Sequence, residues 1–288
     1  MSVPRRVAPL LFVFGAGLAA SAPTHAAESY DNCAGTITWL PATITTQGVW
    51  CMKGDLSSPL ASGAAITVAA NNVTIDCNDF KLGGLAAGPA TETIGIGIEG
   101  RQNTVIRHCN MRGFFIAVKA TNGGGHLIED NRLDGNTRAA LYVSAPGSMI
   151  RRNTINDTGG STAIAGISGI GIFAYYGVNI IDNTIAGVMP GPAGSFVAGI
   201  SATGNGGATL SGNRISGLQL PGAGSTWGIV DDSARSLIVD NMIFGPDTVT
   251  GTGIACITPT TIAAKNYIIG FEQPVQGCQE SGNIVNPD

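Results

Sequence analysis

Hydrophobic and polar positions along the chain recur in one phrase: an aliphatic residue, two variable residues, Asn, one variable residue, an aliphatic and often Gly. It reads Ile128-Glu129-Asp130-Asn131-Arg132-Leu133-Asp134-Gly135 and returns around Asn153, Asn183, Asn213, Asn241 and Asn266. In Ile106-Arg107-His108-Cys109-Asn110-Met111 the Asn place is taken by Cys109. From 109 the steps to 131, 153, 183, 213, 241 and 266 are 22, 22, 30, 30, 28 and 25 residues. A second short phrase follows each copy, as in Leu141-Tyr142-Val143, Gly199-Ile200-Ser201-Ala202 and Gly253-Ile254-Ala255-Cys256. Alternation of period two predicts strands, and no 3.6-residue apolar stripe is long enough to compete. Short strands punctuated by glycine predict a solenoid, one coil per repeat, with aliphatics stacked about 4.8 Å apart. The Asn is expected at an inward-bent corner, where its amide donates and accepts along the stack and satisfies backbone groups that a tight turn leaves unpaired. We read these Asn mostly as framework, with glycan contact as the other reading.

The I-x-x-N-x-I-x-G phrase with its following G-I-x-V strand resembles the right-handed β-helix repeat proteins of the pectin-lyase-like superfamily, over roughly residues 63–270. The resemblance implies an all-β chain folded as a single right-handed parallel β-helix. That architecture hosts lyases, hydrolases, epimerases and non-catalytic surface proteins, so it speaks to fold and not to function. A solenoid exposes unpaired strand edges unless they are covered. Residues 28–62, with Trp39 and Trp50, are therefore expected as an N-terminal cap, and 271–288 as a C-terminal cap. Six cysteines fall into three sequence-local pairs, Cys33 with Cys51, Cys77 with Cys109 and Cys256 with Cys278. Disulfides that staple the caps are expected, with two stacked free thiols as the alternative for Cys77 and Cys109. No C-x-x-C or His-Cys cluster favours a metal, and neither metal nor cofactor is expected.

The first residues bear on compartment. Arg5 and Arg6, the apolar run from Val7 to Ala20 and the small residues ending in Thr24-His25-Ala26 follow the order of a cleavable secretory signal, residues 1–26. The apolar run is shorter than the about 20 residues a spanning helix needs. Cleavage near Ala26 or Ala27 removes two arginines and takes the formal charge from −4 to −6. The expected product is secreted or periplasmic, without a membrane span, and monomeric. Only 12% of residues are charged while 44% are hydrophobic, which argues against disorder. The mildly acidic balance argues against nucleic acid and modestly against a tightly held polyanion, which leaves a polysaccharide as a possible partner.

Candidate chemistry lies on the second strands. Loops inserted after the Asn phrase (157–165, 188–196 and 218–226, with an earlier one at 84–93) are expected to form one wall beside that face. Glu99, Lys119 and Tyr142 are expected outward on consecutive coils. A carboxylate, an amine and a phenol divide acid and base work on a sugar ring; the blander reading is a surface salt bridge beside a tyrosine. Asp231 and Asp232 form an adjacent acidic pair of the kind glycoside hydrolysis uses. The N-T-D, G-H-G and R-I-K companions of polygalacturonase-like enzymes are absent, as is the D-P-H-D phrase of mannuronan epimerases. Tyr142, Phe173, Tyr175, Phe196 and Trp227 offer flat faces to sugars, or cover the core. Just before the Asn place, Arg107-Glu129-Arg151 and His108-Asp130-Arg152-Asp182 predict a surface ladder of alternating sign, with His108 and Asp130 as an alternative acid/base pair. The sum favours a glycan-binding or surface module; the second reading is a polysaccharide lyase, glycoside hydrolase or epimerase working between this face and the loop wall.

Overall fold

Each repeat folds as three short strands, because the Asn phrase breaks at its Asn. One coil runs Val105–Arg107, Asn110–Arg112 and Ile116–Thr121. The computed structural model describes residues 32–219, 224–246 and 251–286. The expected signal peptide lies outside them, as does the tip of the 218–226 loop. Among the described residues the strands stack into three parallel sheets, which we call A, B and C, of eleven, ten and ten strands. Sheet A holds the strands before the Asn corner, sheet C those after it, and sheet B the second phrase. The segments expected as caps supply strands to the same sheets. Gly35–Ile37, Ala42–Ile44 and Leu56–Ser57 begin sheets A, B and C, and Gln279–Ser281, Gln273–Gln276 and Ile284–Asn286 end them.

Alternation along each strand sends one aliphatic per coil into the interior, where it meets its counterpart from the next coil. In sheet A Ile106 pairs in register with Ile128 and Ile128 with Ile150; in sheet B Ile172 pairs with Ile200 and Ile200 with Ile229. All of these side chains are fully buried. Each contributes about 1.5–3 kcal/mol relative to an exposed side chain. Branching at Cβ suits the pleated surface and explains the dominance of Ile.

The corner between sheets A and C is held by the asparagines. The Asn183 amide nitrogen donates to Ile150 O at 3.1 Å and to Asn213 Oδ1 at 3.0 Å. Its own Oδ1 accepts from the backbone N–H of Asn153 at 3.0 Å. The same bonds repeat through Asn131, Asn153, Asn213, Asn241 and Asn266, and continue to Asn283. The residue before each Asn adopts the left-handed conformation, with φ of 54° at Asp130, 53° at Arg152 and 55° at Asp182. That conformation costs a non-glycine residue about 1 kcal/mol, and the ladder makes it tolerable in coil after coil.

All three expected cysteine pairs are disulfides: Cys33–Cys51, Cys77–Cys109 and Cys256–Cys278, with Cα separations of 5.8, 4.7 and 5.1 Å. Cys109 stands at the head of the Asn ladder, its N–H bonded to Asn131 Oδ1 at 3.0 Å. Glycine also lets sheet B pack closely on its neighbours. A Cβ on Gly228 would lie 2.3 Å from Ile243 Cγ2 and 2.5 Å from the carbonyl oxygen of Gly253 on the next coil.

Candidate functional site on the outer face of sheet B

The register of sheet B arranges its outward side chains in columns. Gly97, Lys119, Tyr142, Phe173, Ser201 and Val230 form the middle one, each beside the next. Glu99, Thr121, Ser144, Tyr175, Thr203 and Asp232 form the column two residues further along. Ile170, Ala198, Trp227 and Thr252 form the column on the other side.

This register brings Lys119 and Tyr142 together, the Lys119 Nζ lying 5.9 Å from the Tyr142 ring centre. Glu99 stands in the neighbouring column, against Thr121. Its carboxylate accepts from the hydroxyl of Thr121 and from Asn122 Nδ2, the latter at 2.6 Å. Those two bonds hold its pKa below the ordinary carboxylate value. Glu99 is thus an ionised acceptor engaged by its neighbours, and the carboxylate, amine and phenol do not converge on one point.

Asp231 and Asp232 are parted by the pleat. Asp232 is exposed, whereas Asp231 is fully buried. Asp231 lies in the interior column between Ala202 and Cys256. There it accepts from Thr261 Oγ1 at 2.8 Å and Ser236 Oγ at 3.2 Å, and burial raises its pKa. Adjacent in sequence, the two carboxyls face opposite sides of the strand. The acid/base pairing of His108 with Asp130 also gives way: His108 Nδ1 meets Asp76 Oδ1 at 3.2 Å, because Asp76 stands one coil before it. The charge ladder forms in part: Arg151 meets Glu129 and Arg152 meets both Glu129 and Asp130, while Arg107 turns to Asp76 rather than Glu129, each at 2.7 Å. His126 lies inside, its Nδ1 accepting from the Thr104 N–H at 3.2 Å.

The aromatics come together more fully. Tyr142 and Phe173 meet edge to face with ring centres 5.3 Å apart, Phe173 and Tyr175 lie 4.7 Å apart, and Tyr142 and Tyr175 5.7 Å. Phe196 and Trp227 pair at 4.3 Å. Between the two groups Ile170, Ala198 and Val230 pack against Phe173, Phe196 and Trp227 and join them into one apolar strip. Each of the five rings is half-buried. Burial and the neighbouring Tyr142 push the Tyr175 phenol up to about 12, so it is a hydrogen-bond donor at neutral pH.

Loops border the strip. Thr162 N–H donates to Pro89 O, and Gly191 N–H to Ile167 O, both at 3.0 Å, so the 84–93, 160–168 and 190–195 loops brace one another. Ala163 and Ile167 pack with Tyr142 over Phe115, Ile116 and Ala139. At the other end the strip reaches a hollow of about 180 Å³ lined by Ser225, Trp227, Thr252, Glu272 and Gln273. Glu272 and Gln273 escaped the sequence reading because Glu272-Gln273-Pro274-Val275 carries no Gly-Ile phrase. Arg138, stacked 5.3 Å over the Phe115 ring, was missed because it precedes the strand phrase.

Residues 56–215 match the family described as "Right handed beta helix region". No curated protein matches in sequence. Among solved structures, the tailspike protein of E. coli bacteriophage HK620 in complex with a pentasaccharide is similar at 12% identity and TM-score 0.55, over 88% of this chain and 60% of that one. The Dettilon tailspike protein is similar at 14% identity and TM-score 0.55, over 87% of this chain and 53% of that one. The chain thus spans little more than half the length of either, and at such identity the likeness is one of fold.

Proposed function

We propose, for a chain that belongs to the right-handed β-helix family, that it is an exported glycan-binding module whose ligand lies along the aromatic strip of sheet B. The observation that carries this reading is the continuous strip from Tyr142 through Phe173 and Tyr175 to Phe196 and Trp227. The half-buried rings offer apolar surface to the C–H face of a sugar, while Ser144 and Thr203 beside them supply hydroxyl partners for its polar edge. The tailspike solved with a pentasaccharide supports the ligand class. Binding is favoured over turnover because Glu99 is engaged by Thr121 and Asn122, and Asp231 and Asp232 face opposite ways.

Retention of the purified protein on immobilised polysaccharides tests the reading. Trp227→Ala and Phe173→Ala are each expected to weaken binding about tenfold or more without altering the melting temperature by more than a few degrees. Unchanged binding in both variants, or release of reducing-end or unsaturated products, contradicts a binding module on this strip. The domain plan belongs to the same proposal: a signal over 1–26, stapled ends at 28–62 and 271–288, and the β-helix over 63–270. Mass spectrometry of the exported protein is expected to find it beginning at Ala27 or Glu28; a retained Met1 contradicts that.

A further inference from the structure

Building on the glycan reading, we infer that the Tyr142 end of the strip is an anion subsite, where Lys119 and Arg138 receive a carboxylate or sulfate carried by the sugar. The two cations sit on consecutive coils at that end. Lys119 stands beside Tyr142 in register, and its ammonium lies 5.9 Å from the ring centre. Arg138 accompanies the next strand, and its guanidinium lies 5.3 Å from the Phe115 ring centre. Its charge also reaches the Tyr175 phenol, where it opposes the upward shift. Both side chains are half-exposed, so their charged ends are open to a ligand on the strip.

What sets these two apart from the ion-paired arginines of the charge ladder is that they border the aromatic strip and have no acid of their own. Arg107, Arg112, Arg151 and Arg152 each have a carboxylate at 2.7–2.9 Å. Among the described residues neither Lys119 nor Arg138 has one within ion-pair distance. Glu99 feels the charge of Lys119, but its oxygens are bonded to Thr121 and Asn122. Aromatic rings hold both cations in place without neutralising them, which leaves their donors available for a charge-assisted bond. The opposite end of the strip carries the exposed carboxylates Asp232 and Glu272. With two cations to the single carboxylate of Glu99 at the Tyr142 end and Asp232 and Glu272 at the other, the strip is electrically polar, and an acidic sugar is directed to the Tyr142 end. The protein as a whole has a formal charge of −4, so general attraction of polyanions does not imitate this local effect.

Affinity electrophoresis with matched polymers tests the inference. The probes are polygalacturonate against its methyl ester and dextran sulfate against dextran, for the unaltered protein and the Lys119→Gln/Arg138→Gln double variant. At least one acidic polymer is expected to bind about tenfold more tightly than its neutral parent, with the gain falling as NaCl rises. The double variant is expected to lose that gain and keep its affinity for the neutral parent. Which acidic polymer gains tells carboxylate from sulfate. Equal binding of acidic and neutral forms, or a gain that survives in the double variant, overturns the inference. Failure to bind any of the four polymers overturns it together with the glycan reading, an outcome distinct from neutral binding without an acidic gain.

Discussion

At the scale of single residues, burial decides which polar groups take part in surface chemistry. Asp231 is the clearest case. It sits in an interior column of small apolar residues, where two hydroxyls bond its oxygens and burial favours its protonated form. His126 is the opposite case in sign. Burial lowers its pKa from 6.5, so the folded protein holds it neutral, whereas the unfolded chain takes up a proton as pH falls through 6.5. Between that depressed value and 6.5 the unfolded state binds more protons, so stability rises with pH across this window and is lost on acidification. The expected outcome is a fall in melting temperature from pH 7.5 to pH 5.5 that is smaller in His126→Gln. An equal fall in the two proteins contradicts this account of His126. The parting of Asp231 from Asp232 follows from the alternation itself, because a period of two sends neighbours to opposite faces. The separation of Glu99 from Lys119 was readable. A step of 22 residues, the spacing from Cys109 to Asn131, sets Glu99 against Thr121.

At the scale of elements, the corner and the strand carry different information in the sequence. The corner between sheets A and C is announced by one residue type, because the short Asn amide donates to one coil's carbonyl while its oxygen accepts from another's N–H. Asn183→Ala removes the acceptor for the buried N–H of Asn153 and the donor to the carbonyl of Ile150. Unfolding in denaturant is expected to show a loss of about 3 kcal/mol, since each buried group left unpaired costs about 1–3 kcal/mol. A loss below about 0.5 kcal/mol contradicts the ladder's role. Asn283 extends the ladder but escaped notice. In the last coil the place opposite the buried Ala263 belongs to exposed Glu280, so the aliphatic that marks every earlier phrase is missing. The loop wall was legible from its inserts, since residues added after a fixed corner leave the solenoid on one side. Arg138 was not, because nothing in the repeat fixes the residues between Asn136 and the next strand.

At the scale of the whole molecule, the three faces differ in what they offer. Sheet A near the middle of the chain bears paired charges, Arg107 with Asp76 and Arg151 with Glu129, which satisfy each other. Sheet C carries Phe244 and Tyr267, whose rings lie 6.1 Å apart, with the Arg214 guanidinium 4.7 Å over Phe244. Among the described residues, sheet B alone joins a run of five half-buried rings, unpaired cations at one end and a hollow at the other. The same repeat that makes the fold easy to read leaves function to these outward positions, which the core does not constrain. Hydroxyl-radical footprinting with a bound oligosaccharide from the retained polymer tests the central claim most directly. The account predicts protection of Tyr142, Phe173, Tyr175 and Trp227, with Phe244 and Tyr267 oxidised as fast as in the free protein. Protection of the sheet C pair with sheet B unchanged would contradict it.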